Sequence, residues 1–301
     1  MSDLVVDVQN LSRSFREKVA LDNFSIQIPR GCVYGLVGEN GAGKTTLLKH
    51  LLGLYAAQTG SVSVFGLNPA TEPVSVLSRI GYLSEDREMP MWMKVGEIIR
   101  YRGAFFETWD AGYAEELRKT FDLNPEQKVK SLSRGQLARV GLILALAHRP
   151  DLLLLDEPSS GLDPVVRRDI LAAIIRTVAD EGRTVVFSSH LLDEVQRVSD
   201  HVAMIHGGKQ VLTASVEDIL QSHVRMTVRF ESPRESAPPL KSALSCHGEG
   251  VEWTVLCNGQ REAVRQEISQ LNGEVVEEAS PTLDEIFVAK IGGTGSRSGS
   301  A

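Results

Sequence analysis

Short apolar runs broken by turn residues open the chain. Leu4-Val5-Val6-Asp7-Val8 and Ser25-Ile26-Gln27-Ile28 carry strand-type residues, and Pro29-Arg30-Gly31 breaks the pattern after them. Cys32-Val33-Tyr34-Gly35-Leu36-Val37 is apolar without alternation, as in a buried strand, and Lys44 to Leu52 reads as a helix. Ser61-Val62-Ser63-Val64-Phe65 predicts another strand, stopped by Gly66. From about Lys94 to Arg149 the pattern is mostly helical, with Asn124-Pro125 as a breaker. Strand-like runs return at Leu152–Leu155 and Thr184–Phe187, flanking a helix across Arg167–Asp180. Both of these strands are apolar on both faces, which places them in a parallel sheet covered by helices. An α/β core with a helical insertion follows.

Past about Gln221 the pattern changes to clean alternation. Val224, Met226, Val228 and Phe230 alternate with polar residues, as do Val251, Trp253, Val255 and Cys257, with Pro238-Pro239 between the two runs. Val264, Ile268 and Leu271 then mark a short amphipathic helix, and Ser280-Pro281 reads as a helix cap followed by proline at the first helical position. The Gly/Ser-rich end from Gly292 onward predicts a flexible tail. The organisation expected is a main domain over 1–220 with a helical subdomain at about 86–150, a small α+β appendix over 221–290, and a tail over 291–301.

Composition narrows the function classes. With 301 residues the chain is long enough for two domains, and 42% hydrophobic with 24% charged residues is ordinary globular composition. The net charge of −7 disfavours a dedicated nucleic-acid binder, which is usually basic. Cys32, Cys246 and Cys257 are odd in number and lack ligand-like spacing, so neither a disulfide framework nor a zinc site is expected. No run of about 18 apolar residues occurs, and Met1-Ser2-Asp3-Leu4 lacks a basic-then-apolar signal pattern, so a cytoplasmic chain is expected.

Three strand ends carry the candidate chemistry. Gly38-Glu39-Asn40-Gly41-Ala42-Gly43-Lys44-Thr45 fits the phosphate-binding pattern G-x-x-x-x-G-K-[ST], with Thr46 next on the helix. Glycines let the backbone wrap closely around a polyphosphate, and the helix that follows offers its positive end to the anion. Lys44 is expected to bridge the outer phosphates and the Thr45 hydroxyl to ligate Mg2+. Leu152-Leu153-Leu154-Leu155-Asp156-Glu157 places two acids at the carboxyl end of a buried strand, where ligands of open α/β sheets bind. Asp156 is expected to hold the Mg2+ shell and Glu157 to act as general base on the attacking water. Thr184-Val185-Val186-Phe187-Ser188-Ser189-His190 repeats the geometry and delivers His190 to the γ-phosphate. His223, and His247 beside Cys246, read as incidental, not as a metal site.

These motifs stand in an order that resembles the ATP-binding cassette (ABC) ATPases over Leu4 to about Gln221. Leu132-Ser133-Arg134-Gly135-Gln136 resembles their signature motif, Ser159-Ser160-Gly161-Leu162-Asp163-Pro164 their D-loop, and His190 their switch histidine. Phe15 occupies the place of the aromatic that stacks on adenine. Two positions depart from the commonest pattern: Arg134 stands where glycine is frequent, and Glu85 stands where the Q-loop Gly81-Tyr82-Leu83-Ser84-Glu85 usually has glutamine. Glutamate still reaches a metal-bound water but adds negative charge.

The resemblance implies a P-loop NTPase fold of the cassette type and an ATPase with ATP and Mg2+ as ligands. It also implies head-to-tail pairing with a second nucleotide-binding subunit, as homodimer or heterodimer. Ser133, Gly135 and Gln136 with Asp163 would then complete the site formed by the partner's phosphate loop. Separate membrane subunits are implied as partners, at the cytoplasmic face of the membrane, with an exporter-like subfamily suggested by the C-terminal run Gly273–Phe287. Met89-Pro90-Met91-Trp92-Met93 is expected to receive a helix of the membrane subunit, while Phe105, Phe106 and Trp109 read as core. The rival readings are a soluble cassette ATPase acting on nucleic acid or ribosomes, and a nucleotide-gated binding module with negligible turnover. The first lacks coiled coils, zinc modules or a second cassette here; the second sits poorly with intact Asp156, Glu157 and His190.

Overall fold

The computed structural model describes residues 3–179 and 182–295. The chain divides into two compact units, Met1–Thr213 and Ala214–Ala301.

The first unit runs β1 (Leu4–Phe15), β2 (Lys18–Pro29), β3 (Val33–Val37), α1 (Lys44–Leu51), β4 (Thr59–Val64), α2 (Pro73–Leu77) and β5 (Ile80–Leu83). It continues with α3 (Val95–Gly103), α4 (Ala111–Thr120), α5 (Arg134–Leu146), β6 (Leu152–Leu155), α6 (Pro164–Ala179), β7 (Thr184–Ser189), α7 (Leu192–Val198), β8 (His201–His206) and β9 (Lys209–Ser215). Six strands form one sheet in the order β5-β6-β7-β3-β8-β9. The pairs β5/β6, β6/β7, β7/β3 and β3/β8 are all parallel. Every residue of β3, β6 and β7 is buried, which is why their sequences are apolar on both faces. A second, antiparallel sheet of order β2-β1-β4 packs its apolar face into the same core, where Val6, Val8, Phe24 and Ile28 meet Leu47, Leu48 and Leu51 of α1.

The strands at Ile80–Leu83 and His201–His206 were not isolated by the hydrophobic pattern. A run as short as Ile80–Leu83 shows no alternation, and the parallel ladder to β6 decides its state. The helix expected from Arg167 starts earlier, at Pro164, because the Asp163 carboxylate accepts the N–H groups of Val165 and Val166 at 3.0 and 3.1 Å. Asp180, its expected end, lies outside the described residues.

The second unit comprises α8 (Val216–Ser222), β10 (His223–Arg234), β11 (Ser245–Asn258), α9 (Arg261–Gln270), β12 (Gly273–Ala279) and α10 (Leu283–Gly295). Its antiparallel sheet has the order β11-β10-β12, and the alternating residues Met226, Val228, Phe230, Trp253 and Val255 pack on Val264 and Ile268 of α9. The contact boundary precedes the 220/221 division drawn from composition, since α8 packs with β10. Ser280-Pro281 does not cap the last helix. Thr282 does: its hydroxyl accepts the Glu285 N–H at 3.2 Å while the Glu285 carboxylate accepts the Thr282 N–H at 2.8 Å, a reciprocal box that outcompetes a lone serine. Residues 291–295, expected in the tail, continue this helix, because propagating a helix anchored by buried Leu283, Ile286 and Phe287 costs little. Residues 296–301 lie outside the described residues.

Candidate functional site

The carboxyl ends of β3, β6 and β7 meet at one edge of the parallel sheet. The loop Gly38–Gly43 leaves β3, Asp156-Glu157 leaves β6, and His190 leaves β7. Two of the loop glycines are sterically required. A Cβ on Gly43, whose φ is +117°, would lie 2.4 Å from the Ala20 carbonyl oxygen, and one on Gly38 would lie 2.3 Å from that of Ile205. The loop therefore hugs its neighbours and delivers Lys44 to the first turn of α1, where backbone amides lack intrahelical acceptors.

Lys44 is buried, and its ammonium is fully occupied. It donates to the carbonyls of Gly38 at 2.6 Å and Glu39 at 3.2 Å and faces Glu157 Oε1 at 3.0 Å. Glu157 is buried too, at 4% exposure, so each charge needs the other. The second Glu157 oxygen meets His190 Nδ1 at 2.8 Å, which fixes that ring nitrogen as the proton donor to the carboxylate. Glu157 reaches this position from a left-handed backbone, φ +45°, a conformation costly for a non-glycine residue and found where a site dictates the turn.

Thr45 Oγ1 donates to Asp156 Oδ1 at 3.1 Å. The same oxygen accepts Ser188 Oγ at 2.7 Å, and the Ser188 hydroxyl in turn accepts the Glu157 N–H at 2.8 Å. Ser188 thus orients both acids at once. Sequence reasoning passed over it, although a buried serine near the end of an otherwise apolar strand was the available signal.

A cleft of about 310 Å³ opens over these groups, lined by Asn40, Gly41, Gly43, Lys44, Thr45, Thr46, Glu85 and Glu157. Phe15 forms its outer wall, half-exposed and in edge contact with Tyr55 at 5.4 Å, with the Arg13 guanidinium 4.7 Å from the Phe15 ring. An aromatic face of this kind suits a flat heterocycle. Lys18, not singled out in the sequence, adds a cation opposite Gly41, its ammonium 3.5 Å from where a Cβ on that glycine would sit.

Glu85 follows β5 and lines the cleft beside Glu157. Its carboxyl is pushed above the usual carboxylate range, first by partial desolvation and then by the charges of Glu157, Asp156 and Asp86, with Lys44 pulling the other way. This concentration of carboxylates next to the Thr45 hydroxyl is an all-oxygen donor set suited to a hard divalent cation. Among the described residues no cluster of three or more acidic, histidine or cysteine side chains would hold a metal unaided.

The remaining expected residues lie away from this cleft's lining. Ser133 caps α5, its hydroxyl accepting the Gln136 N–H at 3.2 Å while the Gln136 carboxamide accepts the Ser133 N–H at 2.9 Å. Gly135 is buried, and a Cβ there would come within 2.8 Å of Val166. Asp163 is exposed and caps α6. Ser133 and Asp163 therefore sit at exposed helix starts, outside the cleft of their own chain.

Beside the Glu85 loop two apolar grooves adjoin, of about 300 and 490 Å³, sharing Tyr82 and Arg102. Met91 and Trp92 are exposed at 53% and 73%, whereas Met93 is buried. Phe105, expected in the core, is 63% exposed: it follows the end of α3 and turns into the larger groove with Leu54, Val74 and Leu77. Apolar side chains this exposed and this contiguous mark a binding surface.

Comparison with known proteins identifies the family. A family model described as ABC transporter matches residues 21–160. The chain is 37% identical over 224 residues to the ABC transporter ATP-binding protein MJ1023 of Methanocaldococcus jannaschii, covering 71% of this chain and 79% of that one. It is 27% identical over 256 residues to the Nod factor export ATP-binding protein I of Cupriavidus metallidurans, covering 81% and 84%. A solved ATP-binding subunit of an ABC transporter superposes with a TM-score of 0.66 at 25% identity, over 72% of this chain and 92% of that one. No helix among the described residues is long and apolar enough to cross a membrane.

Proposed function

From the premise that the chain belongs to the ABC transporter family, as an ATP-binding subunit that hydrolyses ATP to power a transporter, we propose that it drives an exporter, working in pairs beneath separate membrane-spanning subunits. The observation that carries the chemistry is the continuous contact chain from Lys44 through Glu157 to His190, with Thr45 and Asp156 alongside. Entering phosphates compete with Glu157 for the Lys44 ammonium. As Lys44 turns to the outer phosphate oxygens, Glu157 is released to accept a proton from the attacking water, while its bond to His190 keeps it in place. Water oxygen then bonds the γ-phosphorus, the bond to the bridging β–γ oxygen breaks, and ADP leaves with that oxygen. His190 would donate from its other ring nitrogen to the transferred phosphoryl group, a contact that requires both ring nitrogens to carry a proton. Thr45 and Asp156, with Glu85 nearby, are the residues that would hold Mg2+, which supplies charge neutralisation between the phosphates.

Pairing is supported by the positions of Ser133, Gly135 and Gln136 at the start of α5 and of Asp163 at the start of α6, away from the cleft of their own chain. A head-to-tail partner would bring that positive helix end to the γ-phosphate, so ATP joins the two copies and hydrolysis releases them. The exposed grooves beside Glu85 support docking of a membrane-subunit helix, and with it a position at the cytoplasmic face of the membrane. Export rests on similarity to a Nod factor export subunit and on the exporter-type C-terminal pattern. The test is co-expression with multi-span membrane proteins drawn from the genes neighbouring this one. Co-purification with one of them, with ATP hydrolysis stimulated by that membrane subunit, is the expected result. Recovery with nucleic acid in place of a membrane protein would overturn the reading.

A further inference from the structure

We propose that Arg87 is a positioning residue, a clamp through which the loop beside the partner groove sets the turn that follows Glu157. The inference rests on the docking reading given above and concerns how that surface is wired to the hydrolytic site.

Arg87 lies beyond β5 in a left-handed conformation, φ +49°. One nitrogen of its half-buried guanidinium donates to two backbone carbonyls, those of Pro158 at 3.0 Å and Ser160 at 3.1 Å. These belong to the turn directly after Glu157, closed by the Ser160 N–H donating to the Glu157 carbonyl at 3.1 Å and the Leu162 N–H to the Ser159 carbonyl at 3.2 Å. The turn leads into Asp163 and α6. Both bonds leave one terminal nitrogen whose two N–H groups are fixed in the guanidinium plane, which sets their directions; a lysine ammonium, free to rotate on a flexible stem, reaches the same carbonyls with less geometric control.

A second anchor holds the turn from the other side. Ser159 Oγ donates to the carboxylate of Glu194 at 2.6 Å, and Glu194, 2% exposed, also faces Arg167 Nε at 3.0 Å and Ser189 Oγ at 3.5 Å, next to His190. That anchor is sealed in the core. The Arg87 anchor is not: Ser84, Arg87, Glu88 and Met89 line the groove of about 300 Å³. A helix seated there presses on the segment that carries Arg87, and the guanidinium passes the displacement to the carbonyls behind Glu157. The buried Glu194 side acts as the fixed point. The D-loop turn thus answers to the groove through one side chain, with no rearrangement of the phosphate loop.

The test uses the full chain with Arg87→Ala and Arg87→Lys, read in two ways. By hydrogen exchange, peptides spanning 157–164 in Arg87→Ala are expected to exchange about threefold faster or more, while those spanning 38–45 keep wild-type rates. In steady-state kinetics kcat for Mg-ATP falls about tenfold while the Kd for a fluorescent ATP analogue stays within about twofold, since Arg87 touches neither phosphate loop nor cleft. Arg87→Lys, keeping the charge but losing the fixed directions of the planar nitrogen, recovers part of both effects. Unchanged exchange at 157–164 in Arg87→Ala overturns the proposal. So does a joint loss of ATP affinity and kcat, or a lysine variant no better than alanine, since either makes Arg87 a folding residue. Should Arg87→Ala not fold, Arg87→Lys against wild type carries the same readouts. Failure of the wild-type chain to bind the membrane subunit sinks the docking reading instead, and the exchange measurement still decides the clamp.

Discussion

Glu157→Gln separates binding from hydrolysis at this site. The residue is 4% exposed and the amide has the shape of the carboxylate, so the fold tolerates the change. What is lost is specific. The amide oxygen still accepts from His190 Nδ1, now 2.8 Å from Oε2, but no charge faces Lys44 Nζ, now 3.0 Å from Oε1, and no base remains for the water proton. Losing a general base costs about 10²–10⁴-fold, which at 1.36 kcal/mol per decade is about 2.7–5.4 kcal/mol of barrier. Lys44 keeps the Gly38 and Glu39 carbonyls, so the phosphate loop holds its shape. A carboxylate that competes with phosphate for Lys44 has gone, and ATP should bind at least as tightly as in wild type. Phosphate release in a single turnover measures the loss, and titration with a fluorescent ATP analogue measures affinity. Light scattering at saturating Mg-ATP should show the variant as a stable pair. Phosphate release within about tenfold of wild type refutes the base assignment, and a monomer with bound Mg-ATP refutes the pairing.

Other perturbations test the neighbouring claims. Lys44→Ala should abolish ATP binding while the chain stays folded, and an unchanged Kd by titration would contradict the phosphate-loop reading. Gly43→Ala forces a side chain at φ +117° against the Ala20 carbonyl; strain of about 1–3 kcal/mol should appear as a lowered Tm together with weakened ATP binding. His148 is buried, donates from Nε2 to the Ile80 carbonyl at 3.0 Å and stacks on Phe106. Burial pushes its pKa down from 6.5 to about 4. The unfolded chain then binds the proton more readily, so stability is lost as pH falls from 6.5 towards 4. The loss amounts to about 3 kcal/mol at 1.36 kcal/mol per unit. Urea midpoints across that window should show a slope that His148→Gln lacks, and equal slopes would refute the assignment. Trp92→Glu, at a side chain 73% exposed, should leave ATPase activity intact and abolish co-purification of the membrane subunit; retained co-purification would move docking elsewhere.

What the chain alone determined was everything written in contiguous residues. The loop pattern is legible because it writes a local backbone path in glycines at fixed offsets, and at Gly38 and Gly43 a side chain would meet the Ile205 and Ala20 carbonyls. The buried strands announce themselves because a strand covered on both faces has no polar side, and Leu152–Leu155 followed by two acids follows from that rule. Tertiary structure decided whatever depends on a partner remote in sequence. Ser188 looks like any serine until β7 lies beside β6 and its hydroxyl falls between Asp156 and the Glu157 amide. Arg87 looks like a solvated loop residue until the turn after Glu157 is folded over it. Phe105 and Met93 exchanged their expected places, one outward and one inward, because a hydrophobic side chain reports its preference for burial and not which surface will supply it. Local geometry and the cost of burying polar backbone act along the chain and can be read there; paired charges, shared hydroxyls and grooves arise only where separate segments meet.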